Sequence, residues 1–527
     1  MSNSIPVPQA FTTTTIVRNE TFIHKATELK PQLNTSTVQP QQMVEVLQDT
    51  NAMHGWLARP LHSAVSSSEQ HYGKGDEFIL DFGMHQVGYL SFSVSPVGSP
   101  PDAPLHLKLT FGEMPVEVGE PFANYTGWIS SSWLQQETLY VDVLPDVIRL
   151  PRRYSFRYVK FEIIDSSQKY RVAFDNIQLQ TVTSGDASRI VPLEHPDPLL
   201  QDIDQVSIRT LQNCMQEVFE DGPKRDRRLW LGDLRLQALA NYETFGNNDL
   251  VKHCLYLFAG VPNHQGQVAA NLFIAPTLIP DDTHLFDYSL LFTVSLYDYY
   301  EATQDSGTLQ ELWPTAYRQV ELALERLNEQ HLPPHSDEWW SFIDWQEELD
   351  KQAPSQAILI YTLKRTIRLA EQVDPDKLPF LNQRLEDVTT ATLAQLWDEE
   401  QGFFVSGPNL QISWAGQIWM ALAEVLDAEQ NAALMQRLLS EQPDIGLTTP
   451  YMHHYLVEAL LITGDRDGAV KHLKSYWGGM LRDGADTFWE LYDPHNKSFS
   501  PYGSYLINSY CHAWSCTPTY LIRKYKL

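Results

Sequence analysis

The sequence predicts a multidomain β + α protein, an antiparallel β domain followed by a helical one. Three observations predict it. The chain has 527 residues, too many for a single core, so two to four domains are expected. Up to about residue 185 apolar residues alternate with period two, and beyond Pro198 they recur at helical spacing. Between these textures Thr183-Ser184-Gly185-Asp186-Ala187-Ser188 reads as a boundary. The expected division is residues 1–190 and 191–527.

The β half is read first. Residues 77–82 lead into an alternating run over 87–94. Leu105, Leu107, Leu109 and Phe111 alternate with His106, Lys108 and Thr110, which predicts one buried and one wet face. Residues 138–143 and 158–163 repeat the pattern, and 96–104 is rich in glycine and proline. Many short strands of this kind predict a sandwich. Residues 1 to about 40 are polar and Thr/Gln-rich and are assigned to no element.

The helical half carries apolar residues at helical period over 199–218, 234–245, 290–301, 309–328, 357–371, 378–396, 414–426, 431–439, 451–463 and 465–476. Such hairpins fit a barrel of six inner and six outer helices, and fit an irregular solenoid almost as well.

Composition narrows the function. A net charge of -28 repels phosphate backbones, so no nucleic-acid partner is expected. The field suits a neutral substrate. The 14 Trp and 24 Tyr can stack on sugar rings, though they are also ordinary core residues. Four cysteines are too sparse for a disulfide framework. The pair His453-His454 has no acid at ligand spacing, so neither metal nor cofactor is expected. The first 16 residues have no signal-like apolar run, and no stretch of 18 apolar residues exists. A cytoplasmic protein without membrane contact is the default expectation.

Chemistry concentrates in residues 220–233. Four acids, four bases and Trp230 lie there, and Gly222-Pro223 breaks any helix, so the charges belong to a loop. The following helix is expected from Leu234, with Asp233 as its cap. Carboxylates among fixed arginines can be given opposite jobs, one ionised and one protonated. Gly232 permits close backbone approach, and Trp230 offers an apolar face for a sugar ring. The plainer alternative is a salt-bridged surface connection. A second cluster is Asp483-Gly484-Ala485-Asp486-Thr487-Phe488-Trp489-Glu490, where a carboxylate beside a tryptophan on a loop suits a base. Its alternative is a surface acid with a core tryptophan. A third, Asp337-Glu338-Trp339-Trp340-Ser341-Phe342-Ile343-Asp344-Trp345, offers Trp340, Asp344 and Trp345 as lining or as core. Asp281-Asp282-Thr283-His284 precedes a helix and can reach the same mouth.

The first stretch resembles the signature of glycoside hydrolase family 78, the α-L-rhamnosidases. That pattern has an Asp, an Arg-acid pair four and five residues later, a Trp four beyond the acid, and an Asp three beyond the Trp. Asp221, Arg225, Asp226, Trp230 and Asp233 match every spacing. The family's acid is usually Glu; here it is Asp226, one methylene shorter. Thr487-Phe488-Trp489-Glu490 resembles the segment bearing the family's general base, and residues 508–515 its closing motif, in which a histidine lines the sugar subsite. Residues 153–161 resemble part of the accessory β-sandwich.

The resemblance implies an N-terminal antiparallel β-sandwich followed by an (α/α)6-barrel catalytic domain. It also implies a compact form lacking the further β domain that rhamnosidases often carry after the barrel. It implies inverting removal of terminal α-L-rhamnose, with Asp226 as acid and Glu490 as base. Asp221, Arg225, Trp230, Asp233, Trp489 and His512 would hold the sugar, and Trp514 would wall the pocket. The partner is a small carbohydrate, and a homodimer is left open. Two alternatives stand beside it: another helical-barrel glycosidase, and a sugar-binding protein that lost turnover through the change at Asp226.

Overall fold

The computed structural model describes residues 14–63, 70–334 and 339–527. The first thirteen residues, and Asp337-Glu338 of the tryptophan-rich stretch, lie outside the described residues.

Nine strands form one antiparallel sheet among the described residues. Its organising member is the strand Glu77–Gly98, which joins the two runs expected separately. Its first half pairs with Gln42–Gln48 and Tyr154–Asp165. Its second half pairs with Asp146–Arg149 and Tyr170–Thr183. The register breaks between Asp81 and Gln86, where Gly83 takes φ +81°. A left-handed residue there bends the strand without a Cβ clash. Both halves consequently turn Phe78, Leu80, Phe82 and Leu90, Phe92, Val94 to one core, which Leu105, Leu107, Leu109 and Phe111 complete. The sandwich is thus one connected sheet bent over itself. Thr110, expected on the wet face, is buried and accepts from Gln136 Nε2 at 3.1 Å.

Twelve helices follow the β domain among the described residues and pair as six hairpins. The inner ones are Leu231–Tyr242, Phe286–Thr303, Gln352–Val373, Trp414–Leu422, Pro450–Ile462 and Pro518–Tyr525. Each touches the next, and the last touches the first, so the ring closes and the solenoid alternative falls. Every residue from Leu231 to Asn241 is buried, as an inner helix requires. The outer helix Leu378–Gln395, in contrast, buries only Leu381, Val388, Ala391 and Thr392. Asn248–Gly260 and Pro518–Tyr525 were not expected. The first is amphipathic, with Asn248, Asp249 and Lys252 off its buried face, and its stripe was overlooked; the second is only 8 residues long. Among the described residues no helix is long and apolar enough to cross a membrane.

One element crosses the expected division. The helix Glu20–Leu29 packs on Asn248–Gly260 of the helical domain, not on the sheet. Val17 N donates to Pro262 O and Asn19 N to Gly260 O, each at 2.8 Å. His253 Nδ1 meets Ala26 O at 2.6 Å.

Candidate active site

The charged stretch is a loop between the helices Pro198–Cys214 and Leu231–Tyr242, as its Gly-Pro break predicts. Its end, Leu229–Trp230, pairs with Asn271–Phe273, which pairs with Ile279–Pro280. The helix begins at Leu231, with Trp230 in the cap position and no side-chain cap. Asp233 therefore stands in the first turn and does not cap as expected. There the helix dipole favours its charge, and its Oδ1 has no hydrogen-bond partner.

Three separated segments meet at this loop. Asp221 O accepts from Ala513 N at 2.7 Å, Phe488 O from His512 N at 2.9 Å, and Ser509 O from Glu490 N at 2.9 Å. The approach is close enough to require glycine. A Cβ on Gly222 would lie 2.8 Å from Ser509 Oγ and 3.4 Å from His512 Nδ1, and one on Gly232 would lie 2.5 Å from the Tyr288 ring.

Arg225 is the hub. Its Nη2 bonds Glu490 Oε2, its Nη1 lies 3.5 Å from Asp226 Oδ1, and its Nε donates to Ile507 O at 3.2 Å. The Tyr502 ring lies 4.4 Å beneath its guanidinium. The two carboxylates on it are unlike. Glu490 is buried and accepts from Tyr502 Oη at 2.5 Å and Ser509 N at 3.1 Å. Burial pushes its carboxyl upward, but Arg225 and then His512 outweigh that and hold it at about 2. Asp226 keeps 24% of its side chain exposed. It and Arg227 both take positive φ, +61° and +54°, a strained pair of neighbours. Arg227 is tied by Nη2 to Arg153 O at 2.9 Å.

Asp221 is buried and accepts from Arg228 N at 2.9 Å. Burial, then the charges of Asp226 and Asp233, push its carboxyl well above the usual range. Asp233 Oδ1 lies 3.3 Å from His512 Nε2 but is not aligned with it. That oxygen and both His512 nitrogens are buried without hydrogen-bond partners. Unpaired buried polar atoms on facing side chains are what a hydroxylated ligand would satisfy.

Aromatic rings wall the rest. Trp230 meets Tyr288 edge-on at 6.4 Å, and Trp345 meets Tyr502 at 6.1 Å with its own Nε1 buried and unpartnered. Trp514 donates to Glu490 O at 2.9 Å and lies 4.4 Å from the His512 ring. Other residues expected here have different employment. Both oxygens of Asp344 accept hydrogen bonds from Thr448 N, Thr449 N and Thr449 Oγ1, although burial lifts its carboxyl to about 6. It straps its loop to the helix Pro450–Ile462. Trp489 is 1% exposed and packs between Tyr492 and Tyr510. Trp340 is 41% exposed, with Lys351 Nζ 5.0 Å over its ring. Asp281 reaches the loop through Arg228 Nη1 at 3.7 Å. His453 pairs with His472 at 2.8 Å, and no metal-holding group of three His, Cys, Asp or Glu occurs among the described residues.

Sequence reasoning missed two sets of residues. Tyr502, which bonds Glu490, sits in a turn with no motif around it. The other set comes from the β domain. Lys224 Nζ is buried and donates to Glu117 Oε1 at 2.9 Å and to Asn508 O, with Glu113 Oε2 at 3.5 Å. Glu113 Oε2 also accepts from Tyr510 N at 2.7 Å, and its Oε1 lies 2.9 Å from His85 Nε2. Acids some hundred residues upstream give no local signal.

Comparison with known proteins adds family and structural matches. Residues 40–181 match the glycosyl hydrolase family 78 alpha-rhamnosidase N-terminal domain, and residues 189–525 match the bacterial alpha-L-rhamnosidase 6 hairpin glycosidase domain. A rhamnosidase from Klebsiella oxytoca, solved with rhamnose bound, is 52% identical, with a TM-score of 0.95 over 97% of this chain and 100% of that one. A family 78 rhamnosidase of Bacillus sp. GL1 is 20% identical, with a TM-score of 0.73 over 89% of this chain and 49% of that one. An α-L-rhamnosidase of Streptomyces avermitilis complexed with L-rhamnose is 16% identical, with a TM-score of 0.63 over 94% and 44%. At those identities the last two are alike in fold alone. No curated protein sequence matches the chain.

Proposed function

The chain belongs to glycoside hydrolase family 78 and is an α-L-rhamnosidase, and we propose that it removes terminal α-L-rhamnose with inversion, using Asp226 as acid and Glu490 as base. The observation that carries this is the shared guanidinium. Arg225 stands between the two carboxylates and gives them different surroundings. An inverting pair must leave room for a water, with carboxyls roughly 6.5–9.5 Å apart. The width of a guanidinium between them suits that gap. Glu490 is ionised at any working pH, as a base must be at the outset. Hydroxyls of the bound sugar compete for Arg225 and Tyr502, and each hydrogen bond they draw off restores basicity to Glu490. Asp226 faces the open side, where a leaving oxygen departs.

The sugar would be held by Asp221, whose carboxyl is pushed upward by burial and the neighbouring acids, toward the form that can donate a hydrogen bond, and by Asp233 and His512, whose free atoms accept or donate. Trp230 and Trp345 supply apolar faces, and Trp345 also a free N–H. Trp489 and Asp344 brace this wall, and Trp340 lies toward its rim. Residues 191–527 would be the catalytic domain and 1–190 the accessory one, apart from the helix Glu20–Leu29. Four free buried cysteines suit a reducing cytoplasm.

The test is the anomer released first. Proton NMR during hydrolysis of a nitrophenyl α-L-rhamnoside should show β-L-rhamnose before mutarotation. The α anomer appearing first would mean a covalent intermediate and would overturn the mechanism. Binding without any release would leave only a sugar-binding protein.

A further inference from the structure

Trp128 belongs to the β domain, on the loop between the strands Leu105–Gly112 and Gln136–Val141. That loop leans on the helical domain. Phe122, Tyr125, Ile129 and Trp133 all pack against the helical core. Trp128 alone among these large side chains is turned out, with 71% of its surface exposed. An exposed tryptophan is not by itself informative. Its anchorage is. Trp128 N donates to Tyr502 O at 3.0 Å, its indole Nε1 donates to Pro501 O at 2.9 Å, and Thr126 Oγ1 donates to Gly503 O at 3.0 Å. Tyr502 stands behind it, with ring centroids 5.9 Å apart. The indole therefore has its polar atom satisfied, its orientation fixed and an apolar face open to solvent.

Its position gives that face a use. Tyr502 is the residue that bonds Glu490 and lies under Arg225, which also meets Asp226. Trp128 thus stands one ring outward from Tyr502, the residue that touches both Glu490 and Arg225. On the reading above, the buried polar atoms of the pocket take the sugar's hydroxyls, and recognition of what the sugar is attached to falls to groups outside them. We infer that Trp128 is a platform for the aglycone, supplied by the β domain, and that it favours a planar aromatic aglycone. A flat ring covers an indole face well, whereas a small alkyl group covers little of it. This rests on the hydrolase reading above.

The experiment compares steady-state kinetics of wild type, Trp128→Ala and Trp128→Phe on two substrates, methyl α-L-rhamnoside and a flavonol 3-O-α-L-rhamnoside. In Trp128→Ala, KM for the flavonol substrate should rise about tenfold, the scale of one lost stacking contact, with kcat nearly unchanged. Both constants for the methyl substrate should stay near wild type. Trp128→Phe keeps a ring but loses the bond to Pro501, and should recover most of the flavonol KM. Equal losses on both substrates, a fall confined to kcat, or no recovery with Phe would mean that Trp128 only braces Tyr502, and would overturn the platform. If wild type cleaves neither rhamnoside, the hydrolase reading fails and takes the platform with it.

Discussion

Arg225 decides how the two carboxylates differ, and each can be tested singly. In Glu490→Gln, kcat should fall about 10²–10⁴-fold, the usual worth of general-base catalysis. A mutant that keeps a third of wild-type kcat would clear Glu490 of the role. The same residue has a stability signature. Its pKa drops on folding from the usual 4.5 to about 2, so the unfolded chain holds its proton more readily. Glu490 therefore stabilises the fold fully above about pH 4.5, by roughly 3 kcal/mol, and less as pH falls toward 2. Urea unfolding of wild type and Glu490→Gln should show their difference shrinking over that window, and a pH-independent gap would contradict the ion pair. Asp226→Asn should behave differently. It should hurt alkyl leaving groups by orders of magnitude more than a nitrophenol, which departs almost unaided, while Asp226→Glu keeps measurable activity. If Asp233→Asn shows that leaving-group effect instead, the acid is Asp233. Arg225, Asp226 and Asp233 were legible because they match the spacing of a family signature within one loop, and Glu490 because Thr487-Phe488-Trp489-Glu490 resembles the family's base segment. Tyr502 was not, because a hydrogen bond to Glu490 can be donated from any turn that reaches it.

At the scale of elements, the signature loop is shaped by what it lies against. Gly222 has ordinary φ, so its need is contact and not conformation. Gly222→Ala should push the loop off Ser509 and His512, cost about 1–3 kcal/mol by overpacking and lower kcat/KM at least tenfold. Adding Ser509→Gly should restore part of both, since Ser509 Oγ is the nearest obstacle. If denaturation and kinetics show no recovery in the double mutant, the crowding argument is wrong. Element boundaries were read less well than element types. Asp233 looked like a cap because acids commonly are, yet pairing of Leu229–Trp230 with Asn271–Phe273 starts the helix three residues sooner. Asn248–Gly260 was overlooked although Leu250, Val251, Cys254, Leu255 and Phe258 recur at helical spacing.

For the whole molecule, the β domain is wired into the catalytic loop. Lys224 is buried between Glu113, Glu117 and the backbone of Asn508. Glu113 also holds the backbone of Tyr510, two residues before His512. Lys224→Met would leave two buried acids facing each other. It should destabilise by about 3–5 kcal/mol and lower activity, although Lys224 is not assigned a sugar contact. Glu117→Gln should cost less, because burial already pushes that carboxyl upward. Chemical denaturation would settle the order; a Lys224→Met protein as stable as wild type would mean the cluster does not join the domains. The two textures of the chain announced two domains. Their joint use of one charge cluster was hidden, since Glu113 and Lys224 are far apart in sequence and neither stands in a pattern that names the other.

The closed ring also has a meaning for how the protein is made. Translation delivers the inner helices in order, and Leu231–Tyr242 keeps one flank bare until Pro518–Tyr525 arrives to cover it. Over most of that interval Arg225 exists without Glu490, and His512 has not been built. A ribosome-bound chain should then lack a complete site and keep that flank exposed, with activity appearing once the last hairpin is in place. A frameshift or stop upstream of that hairpin does not yield a weakened enzyme. It yields an open ring with an apolar seam, a natural target for chaperones and proteases.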